Sequence, residues 1–119
     1  MSIQNEHGRA GEQMAVDYLK SKGYTILHRN YRYLKAEIDI VASKDDILAI
    51  IEVKYRSSTS LGSIAETVTK KKIKLLVMAT DQLVREQNIN LDVRFDIITI
   101  FKTRDIERIE HLKDAFYHF

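Results

Sequence analysis

Four charged side chains set inside an apolar hairpin constrain this chain more than any other feature. The stretch Glu37 to Arg56 reads EIDIVASKDDILAIIEVKYR. Ile38, Ile40, Val41 and Ala42, then Ile47 to Ile51, supply the β-branched apolar material that strands favour, and the polar turn Ser43-Lys44-Asp45-Asp46 joins them. Glu37, Asp39, Glu52 and Lys54 interrupt that material. A buried charge without a partner is costly, so four of them in one hairpin need a common reason.

Side chains along a strand alternate between faces with period two. A turn closing between Ser43 and Asp46 sets Val41 opposite Leu48, Asp39 opposite Ile50 and Glu37 opposite Glu52. Glu37, Asp39 and Val41 then share a face with Leu48, Ile50, Glu52 and Lys54. In this register Asp39 and Glu52 are diagonal neighbours, with Cα atoms about 7–8 Å apart. Two carboxylates at that spacing can converge on one cation, with an ammonium beside them. A slip of one residue would send Asp39 to the other face, so the constellation depends on an even turn.

The 119 residues suit a single domain with one core, spanning 1–119, with residues 1–8 polar and expected to fray. The absence of cysteine excludes disulfides and thiolate metal sites. With no signal peptide and no long apolar run, the expectation is a soluble, cytoplasmic protein without a membrane partner. A net charge of +2 is too small to argue for nucleic acid by itself, so that case must come from local patches.

A helix is expected from about Arg9 to Lys22, with Gly11, Met14, Ala15, Tyr18 and Leu19 as its apolar stripe and Gly23 as its C-cap. Glu12 lies about 90° from the centre of that stripe at roughly 100° per residue. From there it can reach over a neighbouring sheet, or it can simply be a solvated acid in the first turn. Tyr24 to Tyr33 reads as a strand. Its later part, His28-Arg29-Asn30-Tyr31-Arg32-Tyr33, interleaves cations with aromatics. That mixture suits phosphate contact and base stacking, or else protects an edge strand by charge. His28 has no metal-ligand partner at short spacing and reads as surface.

Beyond the hairpin, Ser57 to Gly62 reads as a loop able to order on substrate, and Glu66 stands near the second helical region. Thr69 is a suitable cap for a helix running to about Glu86, buried through Ile73, Leu76, Val77, Thr80, Leu83 and Val84. Lys70, Lys71, Lys72 and Lys74 crowd its first turns, where cations oppose the helix dipole. They read either as a phosphate-binding start or as a solvated charge run. Leu91 to Phe101 is a further strand, in which Asp96 can pair with Arg94, and Ile106 to Leu112 can form one more. The last strand and the tail, Ala115-Phe116-Tyr117, read as scaffold. The order means an α/β sandwich: a mixed sheet of four to five strands flanked by helices, with the 69–87 helix as a right-handed crossover.

Two or three carboxylates and a lysine on one sheet face make an oxygen-rich site for Mg²⁺ or Mn²⁺. Such a cation lowers the pKa of a bound water and neutralises phosphoryl charge, and Lys54 is placed to orient that water. There is no glycine-rich phosphate loop and no nucleophile elbow.

Asp39 followed by Glu52-Val53-Lys54 resembles the D…(E/D)-x-K signature of the PD-(D/E)XK nuclease superfamily. The ordered set is more specific. Gly8-Arg9-Ala10-Gly11-Glu12, Gly23-Tyr24, Arg29-Asn30-Tyr31-Arg32, Glu37-Ile38-Asp39-Ile40, Glu52-Val53-Lys54-Tyr55-Arg56, Glu66-Thr67-Val68-Thr69 and Arg94-Phe95-Asp96 together resemble the bacterial YraN-type endonuclease-like family over nearly the whole chain. The resemblance implies a restriction-endonuclease-like core, similar to archaeal Holliday-junction resolvases. It also implies Glu12, Asp39 and Glu52 as metal ligands, with Lys54 as the catalytic lysine. Lys35-Ala36 departs from the glycines usual before this motif, so the approach to the hairpin is expected to differ in shape.

The expected activity is metal-dependent hydrolysis of DNA phosphodiesters, with branched or structured DNA among the candidate substrates. The alternative is a nucleic-acid-binding module that keeps the fold without cutting. Either way the expected contacts are Arg29, Arg32, Arg56, Lys70, Lys71, Lys72 and Lys74, and a homodimer is a possible assembly. The plainest reading is a structural Glu52–Lys54 ion pair beside a solvated Asp39.

Overall fold

Helix α1 (Ile3–Ser21) leads into strands β1 (Thr25–Tyr33), β2 (Ala36–Lys44) and β3 (Ile47–Arg56). Helix α2 (Lys70–Glu86) and strands β4 (Asp92–Lys102) and β5 (Glu107–Leu112) follow. The computed structural model describes residues 3–56 and 69–116, with side chains from residue 9 onward. The Ser57–Gly62 loop, Glu66 and Tyr117 lie outside the described residues.

Helix α1 begins at Ile3 rather than near Arg9, so residues 3–8 are helical where fraying was expected. No proline precedes Arg9, and Gly8 alone costs only about 1 kcal/mol in a helix interior. The helix stops as its sequence predicts. Gly23 takes φ 90°, its N–H donates to the Lys20 carbonyl, and the Tyr24 N–H donates to the Leu19 carbonyl. This is a Schellman cap, and the left-handed position favours glycine.

The strands form one sheet in sequence order, β1 to β5. The β3–β4 pair is parallel and the other pairs are antiparallel. The parallel pair requires the α2 crossover. Two layers of core result. Ala15, Val16 and Leu19 of α1 pack with Ile40, Ala42, Ala49, Ile51, Ile98 and Ile100 on one face. Leu76, Ala79 and Leu83 of α2 pack with Val41, Leu48, Ile50 and Phe95 on the other. The α/β class and the helix-flanked mixed sheet, a restriction-endonuclease-like core, are those expected. In the tail, Phe116 stacks on Phe95 with ring centroids 5.3 Å apart.

The central hairpin differs in one detail. Lys44 pairs with Ile47, Ser43 with Leu48 and Ala42 with Ala49, so the turn is the two residues Asp45-Asp46. Asp45 takes φ 53°, which Asp tolerates better than Lys. Each pairing moves by two residues from the expected register. A shift of two keeps the paired side chains Ile40 to Lys44 on their faces, and Asp39 lies just beyond the last pair, Ile40 with Ile51. The β1–β2 turn also stays tight: Tyr33 pairs with Ala36, and Leu34 takes φ 55° while 76% exposed. A side chain in that conformation costs about 1–2 kcal/mol, which a glycine would avoid.

Candidate active site

Strict alternation breaks in β2 at one point, and that point makes the site. Ile38 is buried in the α2 layer, whereas Ile40, two residues on, is buried in the α1 layer. Asp39 lies between them. The β2–β3 ladder runs only as far as Ile40 and Ile51. Beyond it, Asp39 Oδ2 accepts from the Val53 N–H at 2.8 Å. The carboxylate thus takes over the acceptor role that a continuing strand would supply.

Burial pushes the Asp39 carboxyl up to about 7, and the nearby Glu52 carboxylate adds to the rise. The Val53 N–H and the Lys72 ammonium oppose it, and Glu12 raises it further. Asp39 is therefore not the solvated acid of the plainest reading.

Glu52 projects from β3 on the α2 side and is only 5% exposed. Its Oε1 lies 3.4 Å from Lys54 Nζ and 3.3 Å from Lys72 Nζ. Its Oε2 is buried without a hydrogen-bond partner. A buried acceptor left unmade costs about 1–3 kcal/mol. Two ammoniums share one oxygen while the other has no hydrogen-bond partner among the described residues.

Glu12 comes from α1, held close to the sheet because a Cβ at Gly11 would sit 3.2 Å from Tyr55 Cδ2. Burial raises its carboxyl pKa, while Asn30 and Arg29 favour the ionised form and Glu37 and Glu52 disfavour it. Glu12, Asp39 and Glu52 thus act on one another electrostatically. Among the described residues, however, no three His, Cys, Asp or Glu side chains form a ready-made metal cluster. The tight unit is the Asp39–Glu52 pair, with Glu12 at longer range. The donors are all hard carboxylate oxygens and one is orphaned, which fits Mg²⁺ or Mn²⁺ rather than a softer metal.

The expected phosphate contacts are distributed unevenly. Lys70, Lys71 and Lys74 are exposed on the first turns of α2. Arg29 donates to Gln13 Oε1 at 3.0 Å, and Arg32 pairs with Glu37 at 2.7 Å. Arg56 donates to the Tyr55 carbonyl at 3.1 Å. Lys72 turns inward to Glu52. The sequence does carry a signal for this: Lys72 continues the buried stripe Leu76, Ala79 and Leu83 backwards at i−4 and i−7, whereas its lysine neighbours fall off it. His28 is bound at the surface to Gln87 at 3.0 Å.

A second buried carboxylate lies at the β4–β5 end. Arg94 grips Asp96 with Nε on Oδ1 and Nη2 on Oδ2, each at 2.8 Å. His111 Nε2 donates to Oδ2 at 2.8 Å, and the Asp114 N–H to Oδ1 at 3.1 Å. Tyr24 and Tyr18 complete the network through Arg94 and His111. Burial alone would raise the Asp96 pKa, but His111, Arg94 and the Asp114 N–H outweigh it, and the net shift is downward.

No helix among the described residues is long and apolar enough to cross a membrane. The family model described as "Uncharacterised protein family UPF0102" matches residues 11–100. A UPF0102 protein of Flavobacterium psychrophilum is 48% identical over the full length of both chains. One from Bacteroides thetaiotaomicron is 47% identical over 98% of this chain and 97% of its own. One from Phocaeicola vulgatus is 44% identical with the same coverage.

Proposed function

Starting from the UPF0102 family, to which this chain belongs, we propose that the protein is a divalent-cation-dependent endonuclease that hydrolyses phosphodiester bonds in DNA. The observation that carries this reading is the Asp39–Glu52 pair: two interacting carboxylates across a diverging hairpin, one with its pKa raised to about 7, the other with an orphaned buried oxygen. A fold does not retain such a pair for stability, since like charges held together out of water oppose folding.

Asp39 and Glu52 would hold Mg²⁺ or Mn²⁺, with Glu12 as the third carboxylate. A cation held there supplies a bound water of lowered pKa and neutralises charge on the phosphoryl group. Lys54 is a half-buried ammonium beside Glu52, placed to hydrogen-bond the attacking water or a phosphoryl oxygen. Lys70, Lys71 and Lys74 supply mobile positive charge for the DNA backbone. Branched or otherwise structured DNA belongs among the substrates to be tried.

The deciding experiment incubates plasmid, linear duplex and four-way-junction DNA with the protein in Mg²⁺, in Mn²⁺ and in chelator. The expected result is cleavage of at least one form, dependent on the cation and lost in Asp39→Asn. Firm binding of all three without cleavage would instead establish a nucleic-acid-binding module on a nuclease fold.

A further inference from the structure

Resting on the reading of Asp39 and Glu52 as cation-holding carboxylates, we propose that Lys72 is a positioning residue that exchanges partners. It neutralises Glu52 while the site lacks a divalent cation and transfers to a substrate phosphate once a cation takes Glu52.

Four observations converge on Lys72. It is the one lysine of its cluster on the buried stripe of α2, and its Nζ reaches Glu52 Oε1 at 3.3 Å. That oxygen is already within 3.4 Å of Lys54, so two like charges crowd one acceptor. Both distances exceed the roughly 2.7–2.9 Å of a tight charge-assisted hydrogen bond, so neither lysine is locked. Finally, the Lys72 side chain is 40% exposed against 21% for Lys54, which makes Lys72 the one free to leave.

The start of α2 explains where it goes. Thr69 caps the helix by accepting from the Lys72 N–H at 3.1 Å, so the first turn is fixed and only the side chain must move. No acidic residue stands in that turn. Glu52 is thus the anion that Lys72 touches among the described residues, with Asp39 at longer range, and a phosphate arriving beside Lys70, Lys71 and Lys74 is the next one. A cation on Glu52 removes the first attraction and leaves the second. Each ligand then favours the other through the same side chain, which is a coupling between two sites and therefore reciprocal.

The test uses the full chain and two probes, Mn²⁺ alone and a fluorescein-labelled duplex. Calorimetry of Mn²⁺ without DNA should show Lys72→Met binding about fivefold more tightly than wild type or better, since the unit-charge attraction between Lys72 and Glu52 that the cation must replace is worth about that much at ~4 Å even at the dielectric of water. With Mn²⁺ present, the slope of log DNA affinity against log salt should fall by about 1 in Lys72→Met. In chelator that slope should barely change, because Lys72 is then held by Glu52. Lys71→Met serves as the control, with a reduced slope in both conditions and unchanged Mn²⁺ affinity.

A folded Lys72→Met protein with equal or weaker Mn²⁺ affinity would overturn the exchange, whatever its loss of thermal stability. If Lys72→Met does not fold, Lys72→Gln carries the same measurements. Mn²⁺ uptake by wild type with no gain in either variant sinks the exchange alone, whereas no uptake by wild type sinks the cation reading of the site with it.

Discussion

Asp39 and Asp96 are both carboxylates embedded in the same sheet, and the protein treats them oppositely. Asp96 is fully buried, yet two Arg94 contacts, His111 and a backbone N–H occupy its oxygens. Its pKa falls despite burial. Asp39 has one backbone donor, a second carboxylate for a neighbour and a cation only at longer range, and its pKa rises to about 7. Asp39 is half-buried and Asp96 fully buried, yet it is the more deeply buried carboxyl whose pKa falls, so burial does not explain the difference. Satisfaction does. The Asp96 network is complete within the chain and reads as architecture tying β4, β5 and α1 together. The Asp39–Glu52 pair is incomplete among the described residues, which is what the proposed cation site requires.

The largest effect should come from the complete network. Asp96→Ala strands the Arg94 guanidinium and His111 without their shared partner. Removing one member of a buried pair typically costs about 3–5 kcal/mol. Urea unfolding should therefore show a loss of that size for Asp96→Ala. A loss under about 1 kcal/mol would break the contrast, because Asp96 would then be no better integrated than an exposed acid.

Next in size is an effect confined to the incomplete site. Lys54→Ala should fold, since it removes one of two ammoniums on Glu52 and leaves the other. If the protein cleaves DNA, the variant should lose about 10²–10³-fold in rate, the usual loss on deleting one electrostatic contact to the reacting group. Wild type and variant are compared on the same DNA in Mn²⁺, with circular dichroism confirming the fold. Equal rates from the folded variant would mean that Lys54 only neutralises Glu52 and that another group, or a contaminant, does the chemistry.

The two carboxylates were also unequally legible in the sequence. Strand periodicity counted back from Val41 puts Asp39 on the face of Glu52, and a register error of two residues leaves that unchanged, but the break in alternation between Ile38 and Ile40 is not visible in the pattern. The register itself turned on whether Lys44 or Asp45 adopts a left-handed conformation, and the better tolerance of Asp for it is the one local signal favouring the observed turn. For Asp96, Arg94 was visible two residues away. His111 and Tyr24 were not, since they stand 15 and 70 residues from the groups they bind. Contacts at that separation are made by packing, not by local pattern. Lys72 was readable in principle from its place on the α2 stripe, but a run of four lysines reads as surface until the burial of Leu76 and Ala79 singles one out.

A smaller effect should come from the charges that belong to neither carboxylate. Lys70, Lys71 and Lys74 are exposed at the start of α2 and face no acidic residue of that turn. Replacing all three with Ala should lower the slope of log affinity against log salt by up to about 2–3 units, near 0.9 for each phosphate left without its lysine. An unchanged slope would mean that they only solvate the helix, and that DNA contact must be sought around Arg29, Arg32 and Arg56.

The smallest effect is the most direct test of the contrast, because it sets the two carboxylates against each other in one titration. A carboxyl whose folded pKa is raised holds its proton longer folded than unfolded, so folding stability is lost as pH rises between 3.8 and about 7. A carboxyl whose folded pKa is lowered loses stability in the other direction, as pH falls below 3.8. In chelator, Asp39→Asn should remove the first dependence and leave the second. Asn still offers an oxygen to the Val53 N–H, so the variant loses the charge and keeps the hydrogen bond. Its thermal stability should match wild type near pH 4.5 and exceed it near pH 8 by on the order of 1–2 kcal/mol. That is less than the full displacement would give at about 1.36 kcal/mol per pKa unit, since Lys72 and water can relax toward the ionised form. Added Mn²⁺ should stabilise wild type near pH 8 and leave Asp39→Asn nearly unaffected. If the difference between the two proteins is the same at both pH values, Asp39 does not carry a raised pKa, and the distinction from Asp96 rests on geometry alone.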